Sequence, residues 1–421
     1  QLPKLSTLGR HHYSMACLSS NSEFVSLTCG VKTYLVRLSD SDLFSINHSD
    51  IQGKDTSEGK ATQSNCDKKH GICGDIDDIG LCLLCSDISP CGNLLAFSTY
   101  AKHLCVLNIK NSKFIVTNVY NLARGASKIK FTPTSKKIVV ADKSGDVYLF
   151  DPNEKNSEGQ LILGHLSLLL DVLVSPNEQL IITCDRDEKI RVSSFPNGYN
   201  IVAYCLGHTE FVSSVLFLPH NMNYLVSTSG DGTVRFWDYK CGKELMVCNT
   251  FVDIQSLEKV DSDDQLVEDL SVITDAAAVF LDSTTSLVCV CLENFKMCLV
   301  LKCTSESESL HYTISQKICV EDINPWKITI NSDIMWMVNC SDIVKVKALT
   351  YNPKSGCFEN TVLEHISKTV DLLNSKKLII DSKRNIVNLL FKKTFENVQE
   401  YLKRKELRSA LHESSNKKIR K

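Results

Sequence analysis

Residues 219–238 read PHNMNYLVSTSGDGTVRFWD: a proline, a short apolar run, a polar tight turn and a second apolar strand. This proline is the last of four that stand 43 residues apart, Pro90, Pro133, Pro176 and Pro219. Apolar residues recur at matching offsets in the first run (Ala96, Val139, Ile182 and Leu225) and at the opening of the second strand (Leu104, Val147, Ile190 and Val234). A β-rich unit with a fixed period in the low forties is typical of a β-propeller, in which several small sheets close into a ring.

The spacing of these units predicts an all-β, seven-bladed propeller over residues 1–360. Four blades keep the period, a first blade precedes them and two degenerate blades follow. The predicted blades are 11–47, 80–118, 124–162, 168–203, 211–250, a sixth around 279–301 and a seventh over 317–350. Residues 50–79 have almost no apolar content and predict a disordered insertion, and the acidic stretch 251–270 predicts a linker.

The end of the chain differs in charge from the rest. Residues 361–421 contain 15 Lys/Arg and 7 Asp/Glu, although the whole chain has a formal net charge of −2. Apolar residues within 385–411 fall near helical spacing with basic residues between them, which predicts a basic amphipathic helix. Its cations could follow a nucleic-acid phosphate backbone: Lys392, Lys393, Lys403, Arg404 and Lys405. The alternative interpretation is a solvated helix face followed by a nuclear-import run at the terminus.

The fifth unit contains the residue set of a WD repeat. Gly207-His208 precedes it, Asp231-Gly232 forms its tight turn, and Trp237-Asp238 ends its third strand. We expect His208 to donate to Asp231, with Thr228 and Trp237 completing a buried polar network. Gly164-His165 with Asp187 predicts the same pair in blade four.

Both His–Asp pairs are interpreted as structural, because every complete WD repeat has one and no nucleophile accompanies either pair here. The sequence contains no P-loop, no dinucleotide-binding glycine motif after a strand, no G-x-S-x-G and no H-E-x-x-H. We therefore expect no catalytic site and no cofactor bound by this chain.

The repeat alignment also selects two cations. It places the turn 142–146 over 185–189 and over 229–233, so that Lys143 and Arg186 occupy the same position in adjacent blades, where blade five has Gly230. Since Asp187 aligns with Asp231, Arg186 is expected to point outward. Two neighbouring cations on a rigid rim could bind carboxylates of a partner protein. A solvated, charged turn is the alternative.

Nineteen cysteines raise the question of metal or disulfide chemistry. They are scattered through apolar strands, as at Cys184, Cys205, Cys289 and Cys298, and we interpret them as buried free thiols. Cys82 and Cys85 form a C-x-x-C in an apparent strand, where residues i and i+3 face opposite sides, which is a poor half-site for zinc. No metal site is predicted.

Several sequence runs in the periodic blades and in the C-terminal tail resemble one family, the WD-repeat non-catalytic subunits of tRNA (guanine-N7-)-methyltransferase. They are LGHLSLLLDV (163–172), DRDEKIRVS (185–193) and CLGHTEFVS (205–213), with ADKSGDVY (141–148) and FKKTFENVQEYL (391–402) as further matches. The run DRDEKIR is specific, because a generic repeat has Asp-Gly in that turn. The resemblance covers roughly 130–240 and the tail.

The resemblance implies a heterodimer in which this chain is not the enzyme. A Rossmann-type methyltransferase subunit holding S-adenosylmethionine would dock on the propeller, and the pair would methylate a guanosine in the tRNA variable loop. The family's docking cations would correspond to Lys143 and Arg186, and a nuclear location is implied. The alternative is a generic WD-repeat adaptor, such as a ubiquitin-ligase substrate receptor. Such receptors often have an arginine shortly after Trp-Asp, where this chain has Tyr239-Lys240.

Overall fold

The computed structural model of the chain describes residues 16–47, 83–378, 387–392 and 405, apart from short gaps. The gaps are 22, 41, 111–112, 156, 254–271, 294, 307–308, 321–322, 340–342 and 362. The predicted insertion 50–79 and nearly all of the predicted linker 251–270 lie outside the described residues.

The described strands form seven four-stranded antiparallel sheets, and each sheet, or blade, is built from four consecutive strands. Blades one to four contain β1 (Ala16–Ser20), β2 (Phe24–Cys29), β3 (Lys32–Arg37) and β4 (Leu43–Asn47); β5 (Leu83–Ile88), β6 (Leu94–Thr99), β7 (His103–Lys110) and β8 (Lys113–Asn121); β9 (Ala126–Phe131), β10 (Ile138–Asp142), β11 (Asp146–Phe150) and β12 (Gln160–Gly164); and β13 (Leu169–Val174), β14 (Leu180–Asp185), β15 (Ile190–Ser194) and β16 (Ile201–Cys205).

Three further blades and two helices follow. They are β17 (Val212–Leu218), β18 (Asn221–Ser229), β19 (Thr233–Asp238) and β20 (Lys243–Asn249); β21 (Ile273–Asp282), β22 (Thr285–Leu292), β23 (Met297–Glu306) and β24 (Ser309–Cys319); β25 (Pro325–Asn331), β26 (Ile334–Asn339), β27 (Val346–Asn352) and β28 (Cys357–Asn360); and α1 (Glu364–Ser375) and α2 (Val387–Leu390). The predicted seven-bladed propeller is confirmed, except that residues 317–319 belong to β24 of blade six and not to blade seven.

The ring closes through the first strand of each blade. Each of these inner strands contacts the inner strand of the next blade, and β25 contacts β1. The eight periodic residues that mark the repeat (Ala96, Leu104, Val139, Val147, Ile182, Ile190, Leu225 and Val234) are all fully buried. One small sheet alone cannot cover both of its faces, so these apolar side chains are buried between neighbouring blades.

Helix α1 fixes the junction between the last and the first blade. Its residues Ile366 and Leu373 are buried in a cluster with Val25 of blade one and Trp336 of blade seven. The Asn374 side chain accepts a hydrogen bond from the backbone N–H of Val346 (2.8 Å) and donates one to the carbonyl of the same residue (3.0 Å). Residues 364–375, which the predicted boundary at residue 360 assigns to the tail, therefore pack against the first and last blades of the propeller.

Four cysteines named from the sequence, Cys184, Cys205, Cys289 and Cys298, are free and buried, as predicted. Burial raises the pKa of the Cys205 thiol to about 12. Within the described part of the chain, no helix has the length and apolar character needed to span a membrane.

Candidate partner-docking face

The two predicted docking cations lie on turns that the fold holds in the same way. The backbone N–H of Lys143 donates to the Gly125 carbonyl at 3.1 Å, and that of Arg186 donates to the Leu168 carbonyl at 2.9 Å. Each acceptor is the residue directly before the first strand of its blade: Gly125 before β9 and Leu168 before β13. The equivalence that the sequence alignment predicted for Lys143 and Arg186 is therefore a structural equivalence as well.

The turn that carries Lys143 is held by several hydrogen bonds to one carboxylate. One carboxylate oxygen of Asp142 accepts the backbone N–H groups of Ser144 (2.8 Å), Gly145 (3.0 Å) and Asp146 (3.0 Å). Gly145 has a φ of +104°, and a Cβ there would lie 2.5 Å from the carbonyl oxygen of His165. This turn therefore packs directly on the loop 165–168, which leads into blade four.

The Lys143 side chain is solvent-exposed and also borders the central cavity. The protein atoms around it exclude enough water to lower the pKa of its ammonium group from the ordinary value. No described side chain forms an ion pair with it. A cation held in this way gains from an incoming carboxylate, because it has already lost part of its hydration.

Arg186 lies in the next turn, 185–189. Its side chain is 42% exposed, and the nearest described carboxylate oxygen, from Asp187, is 3.9 Å from Nε. That Nε atom is buried and has no hydrogen-bond partner among the described residues. A partly exposed guanidinium group with no short ion pair among the described residues is suited to bind a planar carboxylate from a partner.

The loop 165–168 between the two turns presents a leucine to solvent. Leu166 is 107% exposed, whereas the side chain of His165 before it and Ser167 after it are buried. Because the residues on both sides are fixed, the Leu166 side chain is held in place without any packing of its own. We call the surface made by Lys143, Leu166 and Arg186 the docking face.

His165 holds this loop through a different aspartate from the one predicted. Its Nδ1 lies 3.0 Å from a carboxylate oxygen of Asp185, and its Nε2 lies 2.8 Å from Thr183 Oγ1. The predicted His165–Asp187 pair is wrong, because both ring nitrogens of His165 are bonded to Asp185 and Thr183; Asp187 instead donates its backbone N–H to the Asp185 carboxylate within the turn. Burial raises the pKa of Asp185, but the hydrogen bonds from His165 and Lys189 outweigh it, and the net pKa is lowered.

The predicted pair in blade five is present. His208 Nδ1 lies 3.0 Å from Asp231, and Trp237 is fully buried. The third member of the network is Ser227, which lies 2.7 Å from His208 Nε2 and accepts the Trp237 indole N–H at 2.8 Å. The predicted role of Thr228 is wrong, because its hydroxyl faces the other side of β18 and contacts Ser213.

The C-terminal segment, residues 387–392, returns to this end of the propeller. Val387 is buried against Phe211 and Val272, and the Phe391 ring lies 5.2 Å from the Phe211 ring at a steep angle. The Lys392 ammonium group forms an ion pair with Glu188, two residues from Arg186.

A C-terminal helix is present as α1, and within the helix predicted over 385–411 the residues of α2 and Lys405 are helical, residues 391–392 are not, and the others lie outside the described residues. Lys405 is exposed and has helical geometry, whereas Lys393, Lys403 and Arg404 lie outside the described residues.

A central cavity of about 520 Å³ runs beneath the C-terminal segment. Its acids serve the blade-to-blade contacts: each accepts a backbone N–H from the next inner strand and pairs with a lysine. The pairs are Asp87–Lys130 (3.1 Å), Asp171–Lys128 (3.1 Å) and Asp275–Lys327 (3.4 Å). Burial also raises the pKa of the Cys17 thiol in this cavity to about 11, so it is not an activated nucleophile.

Comparison with known proteins agrees with this architecture. A family model described as the tRNA methyltransferase TRM82 WD40 domain matches residues 151–354. Two solved structures share the fold at low identity: a chain of a mitotic checkpoint complex (TM-score 0.56, 10% identity, 78% of this chain and 88% of that one) and the Cps50 (Swd1) β-propeller domain of Myceliophteria thermophila (TM-score 0.55, 8% identity, 80% and 95%).

Curated relatives extend the likeness over most of the chain. The human tRNA (guanine-N(7)-)-methyltransferase non-catalytic subunit WDR4 is 30% identical over 374 residues, which are 87% of this chain and 84% of the human protein. The Danio rerio protein of the same name is 30% identical over 83% of each chain. The Mus musculus protein is 42% identical over a shorter region, 46% of each chain.

The fold and its two His–Asp pairs define a WD-repeat β-propeller. Its similarity to the human protein over most of both chains places it in one branch of that class. The chain belongs to the family of WD-repeat non-catalytic subunits of tRNA (guanine-N7-)-methyltransferase.

Proposed function

We propose that this chain is the scaffold of a heterodimeric tRNA (guanine-N7-)-methyltransferase and holds the catalytic subunit in its active state. The observation that carries the proposal is the docking face, where Lys143 and Arg186 lie on either side of the exposed Leu166. Among the described residues, Lys143 has no ion pair, and the carboxylate oxygen nearest to Arg186 is 3.9 Å from its Nε. Family membership favours this function over a generic adaptor such as a ubiquitin-ligase substrate receptor.

The chemistry of the docking face supports a partner that presents acidic and apolar groups. Lys143 and Arg186 require two carboxylates, and Leu166 requires an apolar recess between them. Because the turns and the loop are fixed by backbone hydrogen bonds, little conformational entropy is lost on binding. The partner that fits is a Rossmann-type methyltransferase subunit with an acidic patch on the surface that meets the propeller.

In this proposal the substrates bind mainly to the partner. S-adenosylmethionine is held by the methyltransferase subunit, and the target is a guanosine in the tRNA variable loop. The basic tail, with Lys392, Lys393, Lys403, Arg404 and Lys405, contacts tRNA phosphates, and the complex works in the nucleus. The start of the tail beside Arg186 supports this arrangement, because it brings the tail to the docking face.

Reconstitution tests the proposal. The purified chain, the catalytic subunit and the two together are each incubated with tRNA and labelled S-adenosylmethionine, and N7-methylguanosine is quantified. We expect methylation only by the pair, and co-purification of the two subunits in one peak. Turnover by the chain alone, or full activity of the catalytic subunit without it, contradicts the scaffold function.

A further inference from the structure

A turn position that favours glycine is occupied by Glu188. The turns between the second and third strands of blades two to five each contain one residue with positive φ at the same position. These residues are Lys102 (66°), Gly145 (104°), Glu188 (72°) and Gly232 (74°). A residue with a Cβ is disfavoured in this left-handed region, so the backbone alone does not favour glutamate here, and the contacts of the Glu188 side chain are the place to look for its role.

The Glu188 side chain has one described ionic partner, and it comes from the C-terminal segment. Its carboxylate pairs with Lys392, 204 residues further along the chain. The hydrogen bond to Glu188 is the main cause of the raised pKa of Lys392, and the nearby acids Asp187 and Glu210 add to it. The turn thus offers a local acidic site to a lysine that arrives from a distant part of the sequence.

Apolar contacts hold the same segment from the other side. Val387 is 2% exposed, and Leu390 and Phe391 pack with Phe211 and Trp326 over the end of the cavity. The ion pair and this cluster together hold residues 387–392 at this end of the propeller. Residues 393–421, which follow, contain nine Lys/Arg and four Glu.

We propose that Glu188 is a positioning residue: its pair with Lys392 directs the basic tail from the docking face, so that the tail and the methyltransferase subunit meet the same tRNA. This inference rests on the proposed function for its tRNA step but not for the ion pair itself. A tail that starts beside Arg186 is at high effective concentration near a nucleic acid held by the docked subunit. Detaching residues 387–392 lowers the effective concentration of the tail near the tRNA and leaves Lys143 and Arg186 in place.

The first test uses the isolated full-length chain. Chymotrypsin cleavage after Phe391, followed by intact mass, reports how often the C-terminal segment opens. Removal of an exposed ion pair by Glu188→Gln is expected to speed this cleavage about two- to fivefold at low salt, and about 1 M salt should reduce the difference. Lys102→Gly, at the same position of another blade, is the matched control and should leave the rate unchanged.

A charge reversal guards against indirect effects. Lys392→Glu alone should speed cleavage, and adding Glu188→Lys should bring the rate back towards that of the wild type, with the same residue following Phe391 in both variants. Leu390 and Phe391 pack in one cluster with Trp326, so Trp326 fluorescence reports whether the segment is attached. A chain that lacks residues 387–421 gives the fluorescence expected for a fully detached segment. Equal cleavage rates for Glu188→Gln and wild type, or no rescue by the reversed pair, overturn the proposed positioning role.

The second test measures tRNA binding by the assembled heterodimer. Glu188→Gln is expected to weaken tRNA binding about two- to fivefold while the affinity between the subunits stays unchanged. Faster cleavage with unchanged tRNA affinity overturns the tRNA step but keeps the ion pair. Faster cleavage in a chain that binds no methyltransferase subunit overturns the proposed function instead.

Discussion

Lys143 and Arg186 occupy the same position of neighbouring blades, 43 residues apart, and their turns contact one loop, residues 165–168. The Lys143 turn contacts the loop through Gly145, which packs on the His165 and Ser167 carbonyls. The Arg186 turn contacts it through the Leu168 carbonyl. Both turns therefore border the loop that carries Leu166, and in the proposed complex one partner surface would meet all three side chains of the docking face.

Leu166 should contribute to partner affinity and not to stability. Truncation by Leu166→Ala is expected to lower affinity for the catalytic subunit by about 1–2 kcal/mol, because an apolar anchor is lost from the centre of the interface. Leu166→Asp should cost more, since it adds a negative charge facing acidic residues. Thermal melting of both variants should match the wild type, because the side chain packs against nothing.

Leu161→Ala is the matched control for this experiment. Leu161 is also an exposed leucine (57%), but it lies on the outer strand β12, away from the docking face. We expect its removal to leave calorimetric affinity unchanged. An equal loss of affinity for Leu161→Ala and Leu166→Ala would show that the effect is general and not centred on Leu166.

Asp185 and Asp187 should differ in what they contribute to stability. Asp185→Ala leaves the buried His165 without its partner and removes the acceptor of two turn N–H groups, which should cost about 1–3 kcal/mol in urea unfolding. Asp187→Ala removes a partly exposed carboxylate and should cost much less. A larger loss for Asp187→Ala would restore the pairing that the repeat alignment predicted.

The His208–Asp231 pair makes part of the stability depend on pH. Burial raises the pKa of Asp231, but hydrogen bonds and charge from His208, with further bonds from Thr209 and Thr233, lower it below its ordinary value of 3.8. A depressed carboxylate pKa contributes stability above the unfolded value and loses it as the pH falls through the folded value. Between about pH 5 and about pH 2, unfolding free energy should fall more for the wild type than for Asp231→Asn. Parallel curves would contradict this assignment.

Removal of residues 403–421 should weaken tRNA binding by the heterodimer and reduce the slope of log K against log salt, because fewer counterions are released from the RNA. The docking face is untouched, so the subunits should remain together in gel filtration. An unchanged salt slope would remove the end of the tail from RNA recognition.

The periodic part of the fold could be predicted from the sequence because the residues that recur at the fixed period are buried ones. Val139 and Ile182 recur 43 residues apart because each fills the same space between blades. Helix α1 also left a signal that a search for strands passes over: Ile366, Thr369 and Leu373 are spaced as one face of a helix, and all three are buried.

The candidate site was only partly readable. Position in the repeat found Lys143 and Arg186, but it assigned Asp187 to His165 because it assumed that one turn position always supplies the carboxylate. In blade five the turn begins with Ser229, and the third residue takes that role; in blade four Asp185 itself can reach the histidine. The Glu188–Lys392 pair joins residues far apart in the chain, so no local sequence pattern predicts it. The sequence showed only that Glu188 occupies a turn position where blade five has Gly232.

Isothermal titration calorimetry of the catalytic subunit into Arg186→Leu, with Lys354→Leu as the control cation on an exposed turn of blade seven, tests the docking face most directly. Loss of a charged anchor is expected to weaken binding by about 3 kcal/mol, roughly a hundredfold in Kd, and to lower methylation by the pulled-down pair in proportion. Thermal melting of the variant should stay that of the wild type. An affinity equal to that of Lys354→Leu would contradict the assignment of Arg186 to the interface.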